Sequence, residues 1–180
     1  QPYPEPVTVA YETADDTAAA GEDYTAVTGT LTFTAGMTQT NLLVPILNDS
    51  LVEPGESFTP ALTDPVNATL GNVSEAAITI VDDDNLPWVS LSANSLAVLE
   101  DAGEAAITVT LSQPYPQPVL ISYETEDDTA VAGEDYTATT DILTLTPGIT
   151  QTTFTIPITD DLAVELDETL TIVLTDFTNA

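Results

Sequence analysis

The chain contains no lysine, no arginine and no histidine against 30 aspartate and glutamate residues, so its formal net charge is −30 at pH 7. Proteins neutralise the phosphates of nucleic acids with lysine and arginine, and anionic lipid surfaces attract the same side chains. We therefore expect no nucleic-acid partner. Such an excess of one charge predicts strong self-repulsion unless counter-ions bind, and divalent cations are the obvious candidates.

The missing side chains also limit the chemistry available for catalysis. Histidine is the commonest general base, and cysteine, which is absent too, supplies the thiol nucleophile. Without lysine no Schiff base can form. A glycosidase mechanism that uses two carboxylates is an alternative that these absences leave open. We nevertheless expect the chain not to be an enzyme.

Long apolar runs are also missing. No hydrophobic stretch is long enough to span a bilayer, and no signal peptide is recognisable, so direct insertion into a membrane is not expected. Hydrophobic residues still make up 43% of the chain, which favours packed cores over a disordered acidic tail.

What the sequence does contain is an internal repeat. Residues 1–68 align without a gap with residues 113–180 at a constant offset of 112, and roughly three positions in five are identical. The segment Ala20–Ala26, for example, returns as Ala132–Ala138. A fixed period indicates stacked copies of one unit, and this period has the size of a small domain.

Along each copy, hydrophobic residues alternate with polar or small ones, which is the period of a β-strand with one buried face. The alternation is found at residues 7–11, 31–34, 42–46, 78–80, 107–111 and 170–174. Pro45 and Pro157 lie within otherwise good strands, which indicates an edge strand or a bulge there. About seven short strands in about 100 residues, with no helical stretch, predict an immunoglobulin-like sandwich.

The repeat also sets the expected boundaries. We expect a first unit at 1–84 that lacks its first two strands, a short linker at 85–87, and a second unit at 88–180 that lacks its last strand. The linker follows an acidic run and ends in proline, so it is predicted to be tense rather than flexible. Termini within a unit have two interpretations: a segment of a longer polypeptide, which we favour, or a subunit that exchanges strands with others.

Acidic residues gather in loops just outside the predicted strands. The groups are Glu22–Asp23, Asp49 with Glu53 and Glu56, Asp82–Asp84, Glu134–Asp135, and Asp160–Asp161 with Glu165 and Glu168. The loops of a sandwich lie at its two ends, so several groups can converge at one pole. Converging carboxylates repel one another unless a cation binds, and Ca²⁺ takes roughly six to eight oxygen ligands. Matching groups in both copies favour Ca²⁺ over a merely solvated acidic surface, although the spacing of an EF-hand is absent.

Several motifs together resemble a known family. The succession YET, DDTA and AGEDY runs from Tyr11 to Tyr24 and again from Tyr123 to Tyr136, a P-I-x-x-D segment precedes V-E-x-x-E in both copies, and ITIVDDD closes the first. These motifs resemble the Calx-beta domain, and the resemblance covers nearly the whole chain. It implies an all-β fold of tandem immunoglobulin-like, seven-stranded sandwiches arranged head to tail.

The same resemblance implies a Ca²⁺ site at one pole of each unit, beside the junction to the next domain. The implied metal ligands in the first unit are Asp23, Asp49, the Leu51 carbonyl, Glu53, Glu56, Asp82, Asp83 and Asp84. In the second unit they are Glu100, Asp135, Asp160, Asp161, the Ala163 carbonyl, Glu165 and Glu168. Asn48 stands where the family pattern has an aspartate, so the first site carries one charge fewer.

The leading functional hypothesis from the sequence is a structural repeat of an extracellular adhesin stalk or of a cell-surface or matrix filament. Ca²⁺ at carboxylate clusters between domains would make it rigid, because a cation that binds only the ordered state stabilises that state. The expected partners are adjacent copies of the same domain in a longer array, together with cell-surface or matrix partners. The expected location is extracellular, secreted or at the cell surface.

Two other hypotheses stand beside it. A Ca²⁺-sensing or ligand-binding Calx-beta module that signals to a partner is the alternative. Micromolar Ca²⁺ affinity would favour the sensor, whereas millimolar affinity would favour the stalk. A glycan-binding or hydrolytic module is the third, but the sequence shows no aromatic platform and no isolated carboxylate pair.

Overall fold

The structure is a computed structural model that describes residues 4–180. The chain divides into two compact units, Gln1–Asp84 and Asn85–Ala180. Within the described range, regular structure consists of ten β-strands and one short 3₁₀ turn at Glu100–Ala102. This confirms the predicted all-β class. None of the helical structure in that range is long and apolar enough to cross a membrane.

The first unit forms one antiparallel sheet. Its strands are β1 (Val7–Asp15), β2 (Thr28–Phe33), β3 (Glu56–Val66) and β4 (Ile78–Ile80), in the order β2-β1-β3-β4. Ala18, Tyr24 and Phe58 form its small cluster of buried residues. The rings of Tyr24 and Phe58 are stacked with their centroids 4.2 Å apart, a contact between two large apolar surfaces that fixes the start of β3 under the loop after β1.

The strand predicted at 42–46 does not form, and this prediction is wrong. Among residues 4–84 no named strand pairs with the segment 39–45, and Ile46 makes only an isolated bridge with Tyr24. Leu43 is 81% exposed. A strand needs the N–H and C=O groups of a neighbour, and alternation of hydrophobic residues does not supply that neighbour.

The second unit is a sandwich of two sheets. Its strands are β5 (Val89–Leu91), β6 (Glu104–Leu111), β7 (Val119–Asp127), β8 (Thr140–Leu145), β9 (Gln151–Pro157) and β10 (Leu170–Thr178). One antiparallel sheet has the order β5-β6-β9 and the other β10-β7-β8. Alternate residues of both sheets, such as Ile156 on β9 and Ile121 on β7, enter one buried cluster. Because β9 is the edge of its sheet, the edge position predicted from Pro157 is confirmed.

Candidate metal centre

The loops that follow β1 and β7 each hold one aspartate in a fixed position. In the first unit the Asp23 N–H donates to the Ala19 carbonyl at 3.0 Å, and the Ala19 N–H donates back to Asp23 Oδ2 at 2.7 Å. The second unit repeats this pair between Asp135 and Val131, with an N–H to Oδ2 distance of 2.7 Å. Each loop therefore uses one carboxylate oxygen of its aspartate to close on itself.

Two glutamates that lie before or at the start of a later strand, β3 in the first unit and β10 in the second, meet this aspartate. In the first unit, one carboxylate oxygen from each of Asp23, Glu53 and Glu56 lies within 4.8 Å of the other two. In the second unit, Asp135, Glu165 and Glu168 form the same arrangement. The two sets are related by the offset of the repeat. We call them the Asp23 triplet and the Asp135 triplet.

The second unit has a further triplet that shares a member with the first. Glu100, Asp161 and Glu165 also place one carboxylate oxygen each within 4.8 Å of one another. The Asp161 N–H donates to Glu100 Oε1 at 3.2 Å, and Asp161 Oδ1 accepts the Ala163 N–H at 2.6 Å. Glu165 therefore faces two groups of acidic side chains, and it is the member through which any cations bound there would be coupled.

In the first unit the acidic run at Asp82–Asp84 lies beside the Asp23 triplet. Asp82 Oδ2 accepts the Glu53 N–H at 3.1 Å, while Asp49 Oδ1 accepts the Leu51 N–H at 2.6 Å. The result is a hollow of about 80 Å³. Its lining includes the carboxylates of Asp23, Asp49, Glu53, Glu56, Asp82, Asp83 and Asp84. Hard oxygen ligands brought together from separate loops are what a calcium site requires.

The electrostatics of these groups are unfavourable in the absence of a cation. Lost hydration, followed by the charges of Asp49 and Asp23, raises the pKa of Glu53 above its ordinary value. Lost hydration and the charge of Asp23, together with a side-chain hydrogen bond to it, raise the pKa of Glu56. Lost hydration and the Asp82 charge raise the pKa of Asp84. Each shift means that the ionised carboxylate is disfavoured where it stands.

The second unit shows the same effect at the equivalent positions. The pKa of Glu165 is raised by lost hydration and then by the charges of Asp161, Asp135 and Glu100. The pKa of Glu168 is raised by lost hydration and then by Asp135, through charge and a side-chain hydrogen bond. A bound cation would offset the repulsion from neighbouring carboxylates, which is part of what raises the pKa values of Glu165 and Glu168.

The structure thus brings most of the predicted ligands together, with three exceptions. Leu51 and Ala163 contribute backbone N–H groups to neighbouring carboxylates, and the predicted role of their carbonyls stays a prediction. Asp160 belongs to neither triplet of the second unit among the described residues. The assignment of the whole predicted set as metal ligands also stays a prediction.

Some charged and polar groups near the triplets are missing from the predicted set of metal ligands, although Glu22 and Glu134 belong to the predicted acidic groups. The charges of Glu22 and Glu134 contribute to the raised pKa values of the triplet glutamates. The Tyr24 O–H donates to Asp15 Oδ1 at 2.6 Å, and its repeat counterpart Tyr136 donates to Asp127. These residues recur at the same offset as the triplets. The repeat could therefore have marked them as candidates for the site.

Solved structures share the fold. A crystal structure of CBD12 from CALX1.2 is similar over 98% of this chain and 70% of its own, with a TM-score of 0.50 and 24% identity. A crystal structure of the apo-form Calx CBD1 domain matches 52% of this chain and 83% of its own, with a TM-score of 0.50 and 28% identity. The first of these supports the arrangement of β-strands alone.

Curated relatives change one expectation. The sodium/calcium exchanger Calx of Drosophila melanogaster is 30% identical over 71% of this chain, and sodium/calcium exchanger 1 of Canis lupus familiaris is 29% identical over 91%. The chain spans 14% and 19% of the lengths of these two relatives. Because the matching proteins are ion exchangers, the prediction of an extracellular, secreted or cell-surface protein is wrong.

The sequence itself matches a domain family twice. The family is the Calx-beta domain, and the two matches cover residues 3–84 and 82–180. They include both carboxylate triplets and the acidic run at Asp82–Asp84. The chain therefore belongs to the Calx-beta domain family, of which it contains two tandem members.

Proposed function

We propose that the chain is a Ca²⁺-sensing module in which each Calx-beta domain binds Ca²⁺ at its carboxylate triplet and passes the resulting change to a partner. The observation that carries the proposal is the triplet itself. Asp23, Glu53 and Glu56 recur as Asp135, Glu165 and Glu168, with their carboxylates gathered in the same way. Gathered carboxylates whose ionised forms are disfavoured gain most when a cation arrives.

Ca²⁺ would act here by joining loops that are distant in sequence. In the first unit the hollow receives the loop at Asp23, the segment from Asp49 to Glu56, and the run at Asp82–Asp84. A cation that binds oxygens from all three would replace repulsion with attraction and would hold the loops in one arrangement. Because the ion binds the ordered arrangement only, it stabilises that arrangement by mass action.

The relatives favour a sensor over the adhesin stalk or filament of the leading sequence hypothesis. They are named as exchangers of sodium and calcium, and the match to one of them runs along 91% of this chain. Transport by those proteins is not assigned to this segment, which spans a small part of their length. The proposed role is regulatory and non-enzymatic, and the two tandem domains are themselves the nearest candidates for partners.

Isothermal titration of the purified chain with Ca²⁺, and separately with Mg²⁺, tests this function. We expect saturable Ca²⁺ binding in the roughly 0.1–10 µM range of sensor sites, with much weaker Mg²⁺ binding because Mg²⁺ demands a smaller and more regular cage. Binding in the millimolar range would favour a structural cation. No binding at millimolar Ca²⁺ would refute both.

A further inference from the structure

Both repeats carry the sequence Asp-Asp-Thr at the point where a strand ends. Asp15 is the last residue of β1 and Asp127 is the last residue of β7, and an aspartate and a threonine follow each of them. We call residues 15–17 and 127–129 the DDT segments. In the described part of the chain, no member of either segment belongs to a carboxylate triplet. Their side chains instead accept hydrogen bonds from residues next to the triplets.

The first aspartate of each DDT segment holds the loop that carries the triplet aspartate. Asp15 Oδ1 accepts the Ala20 N–H at 3.0 Å and the Tyr24 O–H at 2.6 Å. The Tyr24 side chain is fully buried and follows Asp23 directly in the sequence. One carboxylate oxygen therefore fixes both the middle of this loop and the neighbour of the triplet aspartate. The second unit repeats both hydrogen bonds, at 2.9 and 2.7 Å.

The next two residues of the segment hold the neighbour of a triplet glutamate. Asp16 Oδ2 accepts the Ser57 O–H at 2.7 Å, and Thr17 Oγ1 accepts the Ser57 N–H at 2.8 Å. The Ser57 carbonyl in turn accepts the Ala18 N–H at 2.9 Å. Ser57 follows Glu56 directly on β3. The donors and the acceptor of the residue beside this glutamate thus all bond to one short stretch of the chain.

The second unit keeps this arrangement although the residue itself is different. Thr169 stands at the position equivalent to Ser57. Its O–H donates to Asp128 Oδ2 at 2.6 Å, and its N–H donates to Thr129 Oγ1 at 2.7 Å. Thr169 follows Glu168 in the same way. The side-chain feature that the two units share is therefore the hydroxyl group, which both serine and threonine supply.

We propose that each DDT segment positions the Ca²⁺ ligands: it holds the triplet aspartate and Glu56, or Glu168 in the second unit, close together before the cation arrives. The inference rests on the proposed function. Carboxylates gathered without a cation repel one another, and the hydrogen bonds to Tyr24 and Ser57 oppose that repulsion. Ligands held in advance lose less conformational freedom on binding, and partners that orient metal ligands typically contribute about ten- to hundredfold in metal affinity.

Uncharged substitutions of Thr169 test the positioning role without changing the charge near the site. Thr169→Val removes the O–H that donates to Asp128, whereas Thr169→Ser keeps it. Ca²⁺ is titrated into the isotope-labelled 180-residue chain, and the NMR signals of the Asp135 and Asp23 amides report on the two units separately. We expect Thr169→Val to weaken Ca²⁺ binding in the second unit about tenfold. Thr169→Ser should stay within about twofold of the unsubstituted chain, and the unchanged first unit is the control within each sample.

The first unit provides the reciprocal test. Ser57→Ala removes the corresponding O–H, and Ser57→Thr introduces the residue of the second unit. We expect about tenfold weaker Ca²⁺ binding in the first unit for Ser57→Ala and a change within about twofold for Ser57→Thr. Thermal unfolding of the same variants in EDTA separates positioning from stability. A residue with only a structural role would lower the melting temperature and leave the Ca²⁺ affinity of the folded unit unchanged.

The outcomes distinguish this inference from the proposed function. An unsubstituted chain that binds no Ca²⁺ at either triplet would refute the proposed function, and the positioning role with it. Ca²⁺ binding that is unchanged in both Thr169→Val and Ser57→Ala would overturn the positioning role alone. Equal losses in Thr169→Val and Thr169→Ser would also overturn it, because the hydroxyl group would then not be responsible. Thr169 is exposed, so its substitution should leave the unit folded, and the Ser57 variants decide independently.

Discussion

Replacing Glu165 by glutamine should have opposite effects on stability with and without Ca²⁺. In a chelator the substitution removes a carboxylate whose ionised form is disfavoured by lost hydration and by the charges of Asp161, Asp135 and Glu100. The variant should therefore be more stable than the natural chain under those conditions. In saturating Ca²⁺ it should be less stable, because an oxygen ligand loses its charge.

The size of the Ca²⁺-dependent loss follows from the position of Glu165 in two triplets. If the missing charge weakens each ion about tenfold, Glu165→Gln should lower the affinity of two ions by one tenfold step each. Glu53 belongs to a single triplet, so Glu53→Gln should weaken one ion by one such tenfold step. For domains of this size the melting temperature should fall by roughly 10–20 °C and 5–10 °C respectively.

Thermal unfolding followed by circular dichroism, in EDTA and at a free Ca²⁺ about 100 times the dissociation constant, measures both effects. Saturation at that level stabilises a one-site domain by about 2.7 kcal/mol, which leaves room to see the losses. Glu126→Gln makes the same chemical change at an exposed position of β7 outside both triplets and is the matched control. A Glu165→Gln variant destabilised equally in EDTA and in Ca²⁺ would refute the reasoning.

Three further outcomes follow from the fold and the site. Phe58→Ala should lower the stability of the first unit by about 3–5 kcal/mol, since Phe58 and Tyr24 make up most of its buried cluster. Hydrogen exchange should show faster opening of the first unit and no change in the second. An equal change in both units would contradict this expectation. Tyr136→Phe removes the hydrogen bond to Asp127 and should lower stability in urea by about 1.5–3 kcal/mol, whereas an unchanged midpoint would show the bond to be without effect. In EDTA the raised pKa of Glu53 means that the folded chain holds this proton more tightly than the unfolded chain, so stability should fall as the pH rises from the ordinary value of 4.5 through the raised pKa; a melting temperature that rises over that interval would contradict the sign.

The strand pattern could be predicted from the sequence where both partners of a strand lie within the same unit. Alternation identified Leu170, Ile172 and Leu174, and these residues do lie on β10 beside β7. The same alternation at Leu42 and Val44 did not yield a strand. Side-chain alternation reports which face a segment would bury, but the hydrogen-bonding neighbour comes from elsewhere in the chain.

The residues of the candidate site could also be predicted, but their division into overlapping triplets could not. The repeat marked Glu53 and Glu165 as equivalent, yet only the coordinates show that Glu165 faces two triplets because Glu100 lies beside it. The pair Asp127 and Tyr136 was missed for a related reason. An acidic residue in an acidic sequence resembles a solvated surface charge until its hydrogen-bond partner is known.

The location of the protein lay beyond what composition could give. A net charge of −30 constrains solubility, self-repulsion and counter-ion binding, and it does so in every compartment. The acidic repeat was consistent with a surface array and with a segment of an exchanger alike. The similarity to sodium/calcium exchangers is the finding that overturned the predicted extracellular location.

Crystals of the chain grown with Ca²⁺ and measured at a long wavelength, where calcium scatters anomalously, provide the most direct test of Ca²⁺ binding. We expect anomalous peaks among Asp23, Glu53 and Glu56 and among Asp135, Glu165 and Glu168. Carboxylate oxygens should lie about 2.3–2.6 Å from each peak. Both triplets without a peak, at a Ca²⁺ concentration that saturates the chain in solution, would contradict the proposed sites.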